Sequence, residues 1–485
     1  MKKALSILIL MASLAINAQE TISVDGPIVK GQTHSVDLTH VSWQQMDDMM
    51  RGIEGKRRNY NTSTPDLTVT HRWIDRIHNL PDYLVQFYNR YGTAVQKVLD
   101  GDKNYLSDPM LGVYVEDLGN YNTVVTTFSG TIDFTFPTDA TYEQIDQITY
   151  NLIDNQCNKN WNEADCFLSY LILCLTYDFP EAFWLNSYFR WHHLWNYRYN
   201  YNPSSGSGKV TYTQTIYFTL KDTDFDYRRT EFNTQEKVTN GVVEYKQRVD
   251  DIVQNCPAGS RYDKIVYFND WLTKHNSYNT LYGHSNNVPA IAWSPMSALR
   301  GTTGTIGPVC EGYARAFKVL CDQTGIPCIL AVGNAKSFAL SPGESHMWNE
   351  VEMENGLWYA VDCTWNDPID RQNRKQSGQE NHNWLLLGKD DIVGNGGFTF
   401  AQSHPTSITW DTEPKYESQW DYSVISFIAN QHYDVASGIF NITTDYATSG
   451  HAYDMSGRYI GTIDKLPVSQ KNQLVIVGGR KILIP

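Results

Sequence analysis

Two strand-like runs, "EVEM" (350–353) and "LWYAV" (357–361), are separated by Glu354-Asn355-Gly356, and the chain can turn back on itself there in only two short ways. A two-residue Asn355-Gly356 turn sets His346 and Asp362 on opposite faces of the sheet. A three-residue loop with Gly356 left-handed pairs Met353 with Leu357 instead. Trp348 then stands opposite Asp362, and His346 lies two residues along on the same face, within diagonal reach. Because side chains alternate with period two, this one choice decides what the hairpin "HMWNEVEMENGLWYAVDCTW" (346–365) can present.

Upstream, "GPVCEGYARAF" (307–317) follows a Gly/Thr-rich loop, "RGTTGTIGPV" (300–309). Tyr313, Phe317, Leu320 and Cys321 fall at helical spacing after Cys310, and Gly325 with Pro327 closes the segment. Cys310 therefore belongs to a first helical turn, where unpaired backbone N–H groups and the positive dipole end favour a thiolate. Gly307 and Gly312 are expected to leave room for a substrate backbone. In the three-residue register Asp362 accepts a hydrogen bond from one imidazole nitrogen of His346, and the other nitrogen faces Cys310. That is the nucleophile–base–orienter arrangement of acyl transfer. Each residue also has a plain reading alone: a buried small thiol, a satisfied strand histidine, a turn carboxylate.

The rest of the chain narrows the setting. Its 485 residues call for two to four domains, and 41% hydrophobic with 13% aromatic residues fits a folded protein. A formal net charge of −14 argues against nucleic acid and against anionic membrane surfaces. Residues 1–18 read as an export signal: Lys2 and Lys3, an apolar Ala4–Ile16 run, then Ala18 at the cleavage edge. A periplasmic, cell-surface or extracellular location is expected, with no transmembrane segment. The eight cysteines include no C-x-x-C pair and no zinc-ligand spacing, and adjacent His192 and His193 point apart on a strand, so no metal and no cofactor is expected. Cys157, Cys166 and Cys174 lie in one helical region, as buried thiols or bridges.

Residues 19–235 form an aromatic-rich α+β region, with helical spacing over about 142–178. "FWLNSYFRWHHLWNYRYNYN" (183–202) alternates like a hairpin pair, followed by a turn at 203–209 and a strand at 210–220. Its rings suit either a sheet core, the favoured reading, or an exposed carbohydrate platform. Residues 236–280 read as helices, the segment to about 420 as strand-rich, and the region 421–485 as a small all-β module.

"GPVCEGYARAFKVLCDQTGIP", "HMWNEV" and "LWYAVDCTWNDP" together resemble the core of the transglutaminase-like superfamily. "YDKIVYFNDWLTKHNSYN", "SPMSALRGTTG" and "DFPEAFW" also resemble elements of its secreted bacterial members. The resemblance is strong over about 260–370 and loose in the N-terminal half. It implies an α+β, papain-like core, with a cysteine-bearing helix packed on an antiparallel sheet that carries His and Asp. It assigns 236–420 as the catalytic domain, with Cys310 as nucleophile, His346 as base and Asp362 as orienter. Met347 stands where the family usually has Ala, and by alternation it points away from the triad. Tyr278 or Trp293 would supply the second oxyanion donor beside the Cys310 N–H. Trp348 and Trp365 would shield the imidazole or line an acyl-donor groove. The implied activity acts on a peptide, protein or cell-wall peptide through a Cys310 thioester, with hydrolysis favoured over amine transfer. The alternative is a silent transglutaminase-like module that binds protein or carbohydrate. The tail "AYDMSGRYIGTIDKLP…LVIVGGRKILIP" resembles the C-terminal sorting module of exported Bacteroidetes proteins, with a departure at Val468–Asn472.

Overall fold

The computed structural model describes residues 21–37, 72–74, 80–107, 123–184, 188–219, 231–232, 234–283, 287–336, 343–367, 381–393, 397–405, 428–434, 440–441, 451–453, 459–462, 474–477 and 480–483. Residues 1–18, read as an export signal, and Val468–Asn472 lie outside them. No described helix is long and apolar enough to cross a membrane. The chain divides into two compact units, one of residues 1–41, 79–176 and 184–239, the other of 42–78, 177–183 and 240–485.

In the first unit, β1 (Ile22–Asp25), β2 (Val29–Asp37), β3 (Thr123–Thr135), β4 (Tyr188–Asn202) and β5 (Ser207–Thr219) form one antiparallel sheet. Helix α1 (Asp82–Leu99) precedes β3, and α2 (Tyr142–Tyr177) is the long helix expected from the apolar spacing. The aromatic run over 188–202 is a single strand and not a hairpin pair. Nothing within it favours a turn, whereas Gly206, at φ +61°, closes the β4–β5 hairpin just after it. From Trp195 onward the alternation along β4 is strict, whereas Trp191, His192 and His193 are all buried. Trp191, Trp195, Tyr197, Tyr199 and Tyr201 are at most 6% exposed, while Asn196, Arg198 and Asn200 face water. The rings pack with Ile145, Ile153 and Cys157 of α2, so they are a sheet core and offer no platform to a sugar. His193 is a satisfied core histidine. Its ring stacks on Trp161 at 4.6 Å, and its nitrogens bond Gln214 and the Gln32 backbone.

In the second unit, α3 (Gln235–Gln254) and α4 (Arg261–His275) are the two expected helices. Val242, Tyr245, Val249 and Ile252 of α3 are buried, as are Ile265, Phe268 and Leu272 of α4. Ser260 and Asp263 cap α4 reciprocally, which fixes where it starts. A short helix, α5 (Pro295–Leu299), is capped by Ser294, and α6 (Cys310–Gln323) follows. Beyond it, Gly325 adopts φ +70° and ends the helix as its sequence position predicts.

The sheet of this unit is antiparallel, in the order β6 (Cys328–Ala335), β7 (Glu344–Glu352), β8 (Trp358–Val361), β9 (Leu385–Leu387). α6 packs on β6 and β7. Asn349 pins it there, donating from Nδ2 to the Ala314 carbonyl at 2.9 Å. Residues 177–183 are tied to α6 and to the start of α5: Arg315 donates to the Pro180 carbonyl, and Ser294 to the Phe183 carbonyl. Past the sheet come a helical turn α7 (Cys363–Asn366), a ribbon of β10 (Ile392–Val393) and β11 (Phe398–Thr399), and α8 (Phe400–Ser403). Near the C-terminus, β12 (Phe440–Asn441), β13 (His451–Tyr453), β14 (Tyr459–Thr462), β15 (Leu474–Val477) and β16 (Arg480–Leu483) form one sheet. Its described residues contain strand alone, in keeping with the all-β expectation.

Candidate active site

The hairpin settles its register in the three-residue way. Glu352 pairs with Trp358, and Met353 closes the loop by bonding both Leu357 and Gly356 through the backbone. Gly356 is left-handed, at φ +73°. Carried outward from Asn349–Val361, the register sets Trp348 beside Asp362, with His346 diagonal to it. Asp362 also caps α7, its Oδ1 accepting from the Trp365 backbone N–H at 3.1 Å.

Cys310 is the first residue of α6 and is 8% exposed. Two buried asparagines hold the loop that delivers it. Asn276 Nδ2 donates to Leu272 and Ala298 carbonyls while its Oδ1 accepts from Thr302 N–H. Asn279 Nδ2 donates to the carbonyls of Thr305 and Gly307. Left-handed Gly301 and Gly304 allow the loop its bends. The glycines flanking Cys310 do not open space for a substrate. A Cβ on Gly312 would fall 2.5 Å from the Ala292 carbonyl oxygen, and one on Gly307 would fall 2.1 Å from that of Ser277. That room is filled by the chain's own backbone.

His346 Nε2 stands 2.7 Å from Asp362 Oδ2, and Cys310 lies near enough to the same ring to raise its proton affinity. With Nε2–H turned to the carboxylate, Nδ1 is the nitrogen left for the thiol. Burial alone would lower the His346 pKa. The charge and hydrogen bond of Asp362, joined by Cys310, outweigh it and push the value up to about 10. For Asp362, burial would raise the pKa, but the paired His346 and the hydrogen bond from His404 hold it well below the usual carboxylate range. The site thus stores a base whose charged form is favoured, next to a cysteine.

The aromatic candidates separate by burial. Trp348 is 1% exposed and stacks beside His346 at 6.2 Å, so it walls the imidazole and presents no surface to a substrate. Trp365 is half-buried, 5.4 Å from the His346 ring. Tyr278 is half-buried, and its phenol lies close enough to Cys310 for the two groups to act on each other electrostatically. Trp293 lies further out, 6.4 Å from Tyr282, which in turn meets Tyr278 edge-on at 5.9 Å. Sequence reasoning missed Tyr282 and also His404. The latter arrives from beyond the hairpin with no fixed spacing to signal it. Its Nε2 lies 3.1 Å from the same Asp362 Oδ2.

His346, Asp362 and His404 are the described residues whose ligand atoms cluster closely enough to hold a metal ion, within 4.8 Å of one another. Each of these nitrogens is already directed at the shared carboxylate oxygen, and all three groups are buried, so the cluster reads as a hydrogen-bonded chain. The other described cysteines, Cys157, Cys174, Cys256, Cys321, Cys328 and Cys363, are free thiols like Cys310.

Residues 246–363 match the family described as the Transglutaminase-like superfamily. Kyphoscoliosis peptidase of Mus musculus is 30% identical over 123 residues, covering 24% of this chain and 17% of that protein. Its Homo sapiens counterpart is 28% identical over 123 residues, with the same shares. Lim and transglutaminase domain protein ltd-1 of Caenorhabditis elegans is 30% identical over 127 residues, covering 24% of this chain and 16% of that one. The matched stretch is thus about a sixth of these relatives' own length. A crystal structure of a candidate cysteine protease from Cytophaga hutchinsonii aligns at 13% identity and a TM-score of 0.19, over 52% of this chain and 68% of that chain. The family match runs through Cys310, His346 and Asp362, and the cysteine-bearing helix packed on an antiparallel sheet carries them: the chain contains a transglutaminase-like domain.

Proposed function

We propose that the protein is an exported cysteine enzyme that cleaves amide or peptide bonds, with Cys310, His346 and Asp362 as its catalytic triad. The observation that carries this reading is the 2.7 Å His346–Asp362 contact, with Cys310 near enough to the imidazole to raise its proton affinity. His346 already holds the proton of the Cys310–His346 pair on Nδ1, and Cys310 Sγ attacks the carbonyl carbon as the carbonyl electron pair moves onto the oxygen. The C–N bond then breaks, His346 gives the proton to the leaving amine, and a thioester remains on Cys310. Water, deprotonated by His346, attacks the thioester and releases the acid and the thiol.

The Cys310 N–H and Tyr278 hydroxyl are the proposed oxyanion donors. The Tyr278 phenol lies close to Cys310, so its O–H can turn to donate to an oxyanion held at the Cys310 N–H. Half-buried Trp293 and Trp365 are the proposed contacts for a peptide, protein or cell-wall peptide chain. Hydrolysis is favoured over transfer to an amine because two of the relatives are named as peptidases. The proposed organisation keeps 1–18 as an export signal, 19–235 as the N-terminal region, 236–420 as the catalytic domain and 421–485 as a sorting-related module.

The test is a screen of peptide and glutamine-amide substrates, with and without a primary amine, on wild type and Cys310→Ala. Turnover that vanishes in the variant supports the enzyme reading, and amine incorporation in place of acid release would replace hydrolysis by transfer. Equal behaviour of both proteins on every substrate would instead favour a silent binding module.

A further inference from the structure

The Asp362 carboxylate receives three donors. Oδ1 takes the Trp365 N–H at 3.1 Å, and Oδ2 takes His346 Nε2 at 2.7 Å and His404 Nε2 at 3.1 Å. His404 lies outside the family match, which ends at residue 363. Its side chain is fully buried, stacked on Phe400 at 4.5 Å and flanked by Trp365 at 4.6 Å and Trp348 at 5.0 Å. The backbone around it is tied to the end of β6: Lys336 N–H donates to the Ser403 carbonyl, and Asn334 N–H to that of Pro405. The ionised Asp362 carboxylate can only accept, so the 3.1 Å contact places a ring proton on His404 Nε2, while Nδ1 lies 3.1 Å from Ser403 Oγ, whose own O–H donates to the Lys336 carbonyl at 2.9 Å.

We infer that His404 is a positioning residue of the active site, a neutral imidazole that fixes the Asp362 carboxylate so that Asp362 can fix His346. A carboxylate held only by its helix-cap bond and by His346 could turn about its Cβ–Cγ bond and carry the imidazole with it. A second N–H on Oδ2 defines the carboxylate plane. The donor has to stay uncharged, because a second imidazolium would compete with His346 for the same anion. The charged or titratable groups that face His404 are Asp362 and His346. Burial lowers the His404 pKa, to about 4, with the charge of His346 adding to the effect and Asp362 opposing it. The aromatic walls that exclude water therefore also keep it neutral.

This inference rests on the triad reading above, and one experiment separates the two. The probe is iodoacetamide, reacted with the full-length chain over a range of pH, with modification of the Cys310 peptide followed by mass spectrometry. The proteins are wild type, His404→Phe, which refills the aromatic box without a donor, and His404→Gln, which returns an N–H. Wild-type Cys310 should react faster than Cys256 at about pH 6. His404→Phe should be slowed about 10-fold or more there, with its rate rising only at higher pH, and His404→Gln should regain most of the loss. A folded His404→Phe with the wild-type rate and pH profile would overturn the inference and leave His404 as packing alone. If Phe prevents folding, His404→Leu carries the same comparison with the same two outcomes. Should wild-type Cys310 react at about pH 6 no faster than Cys256, the triad reading fails instead.

Discussion

His346 of β7 and Asp362, just past the end of β8, meet through Nε2 and Oδ2 at 2.7 Å, and the contact leaves Nδ1 as the ring atom available to Cys310. The carboxylate therefore sets both the tautomer and the rotation of the base. Asp362→Asn keeps the volume and removes the charge, and its amide can present N–H to the ring and force the other tautomer. We expect kcat to fall by about 10³-fold or more with KM little changed, since the carboxylate is what holds His346 charged and oriented for proton delivery. Steady-state kinetics on a substrate from the screen is the check; a loss of less than about 3-fold would remove Asp362 from the triad.

The register that brings the pair together depends on Gly356 at φ +73°. An added Cβ is strained in that conformation, so Gly356→Ala should lower stability by about 1 kcal/mol. Asn tolerates the left-handed region better and should cost less than Ala. Thermal melts of both variants test the order. Equal melting temperatures for wild type and Gly356→Ala would mean that the loop does not enforce the register.

How far this site is legible in the sequence differs residue by residue. His346 and Asp362 sit on one hairpin, so period-two alternation and the choice of loop give their relation outright. Cys310 is legible because a helix start has its own local chemistry. His404 is not, because its distance from Asp362 is set by the connections between them, and chain length through connections carries no geometric information. Gly307 and Gly312 mislead for a related reason. A glycine announces close approach, but not whether a substrate or the chain's own carbonyls of Ser277 and Ala292 do the approaching. The aromatic strand was readable as a core by alternation, yet its length was not, because no residue within 188–202 marks where a hairpin would have turned.

Tyr278 offers a test of transition-state stabilisation. Burial first, and then the charge of Cys310, push its pKa well above the ordinary tyrosine value, so the phenol keeps its proton and can donate. Tyr278→Phe removes that proton and little else. The expected result is a fall of about 10²-fold in kcat with KM nearly unchanged. A change confined to KM would place Tyr278 in ground-state binding instead.

The two histidines on Asp362 should shape stability against pH in opposite senses. His346 is raised from an ordinary 6.5 to about 10, so its stabilising contribution is complete below 6.5 and is lost as pH climbs towards 10. His404 is lowered from 6.5 to about 4, so its contribution is complete above 6.5 and is lost as pH falls towards 4. Each limb should amount to a few kcal/mol, at about 1.4 kcal/mol for each pH unit over which the proton affinity differs. Urea unfolding across this range, on wild type, His346→Gln and His404→Gln, reads the slopes and not the absolute stabilities, since either substitution also disturbs a buried network. His346→Gln should flatten the limb between 6.5 and 10, and His404→Gln the limb between 4 and 6.5. Three parallel curves would mean that neither histidine changes its proton affinity on folding, and that the carboxylate between them is not the charge that organises the site.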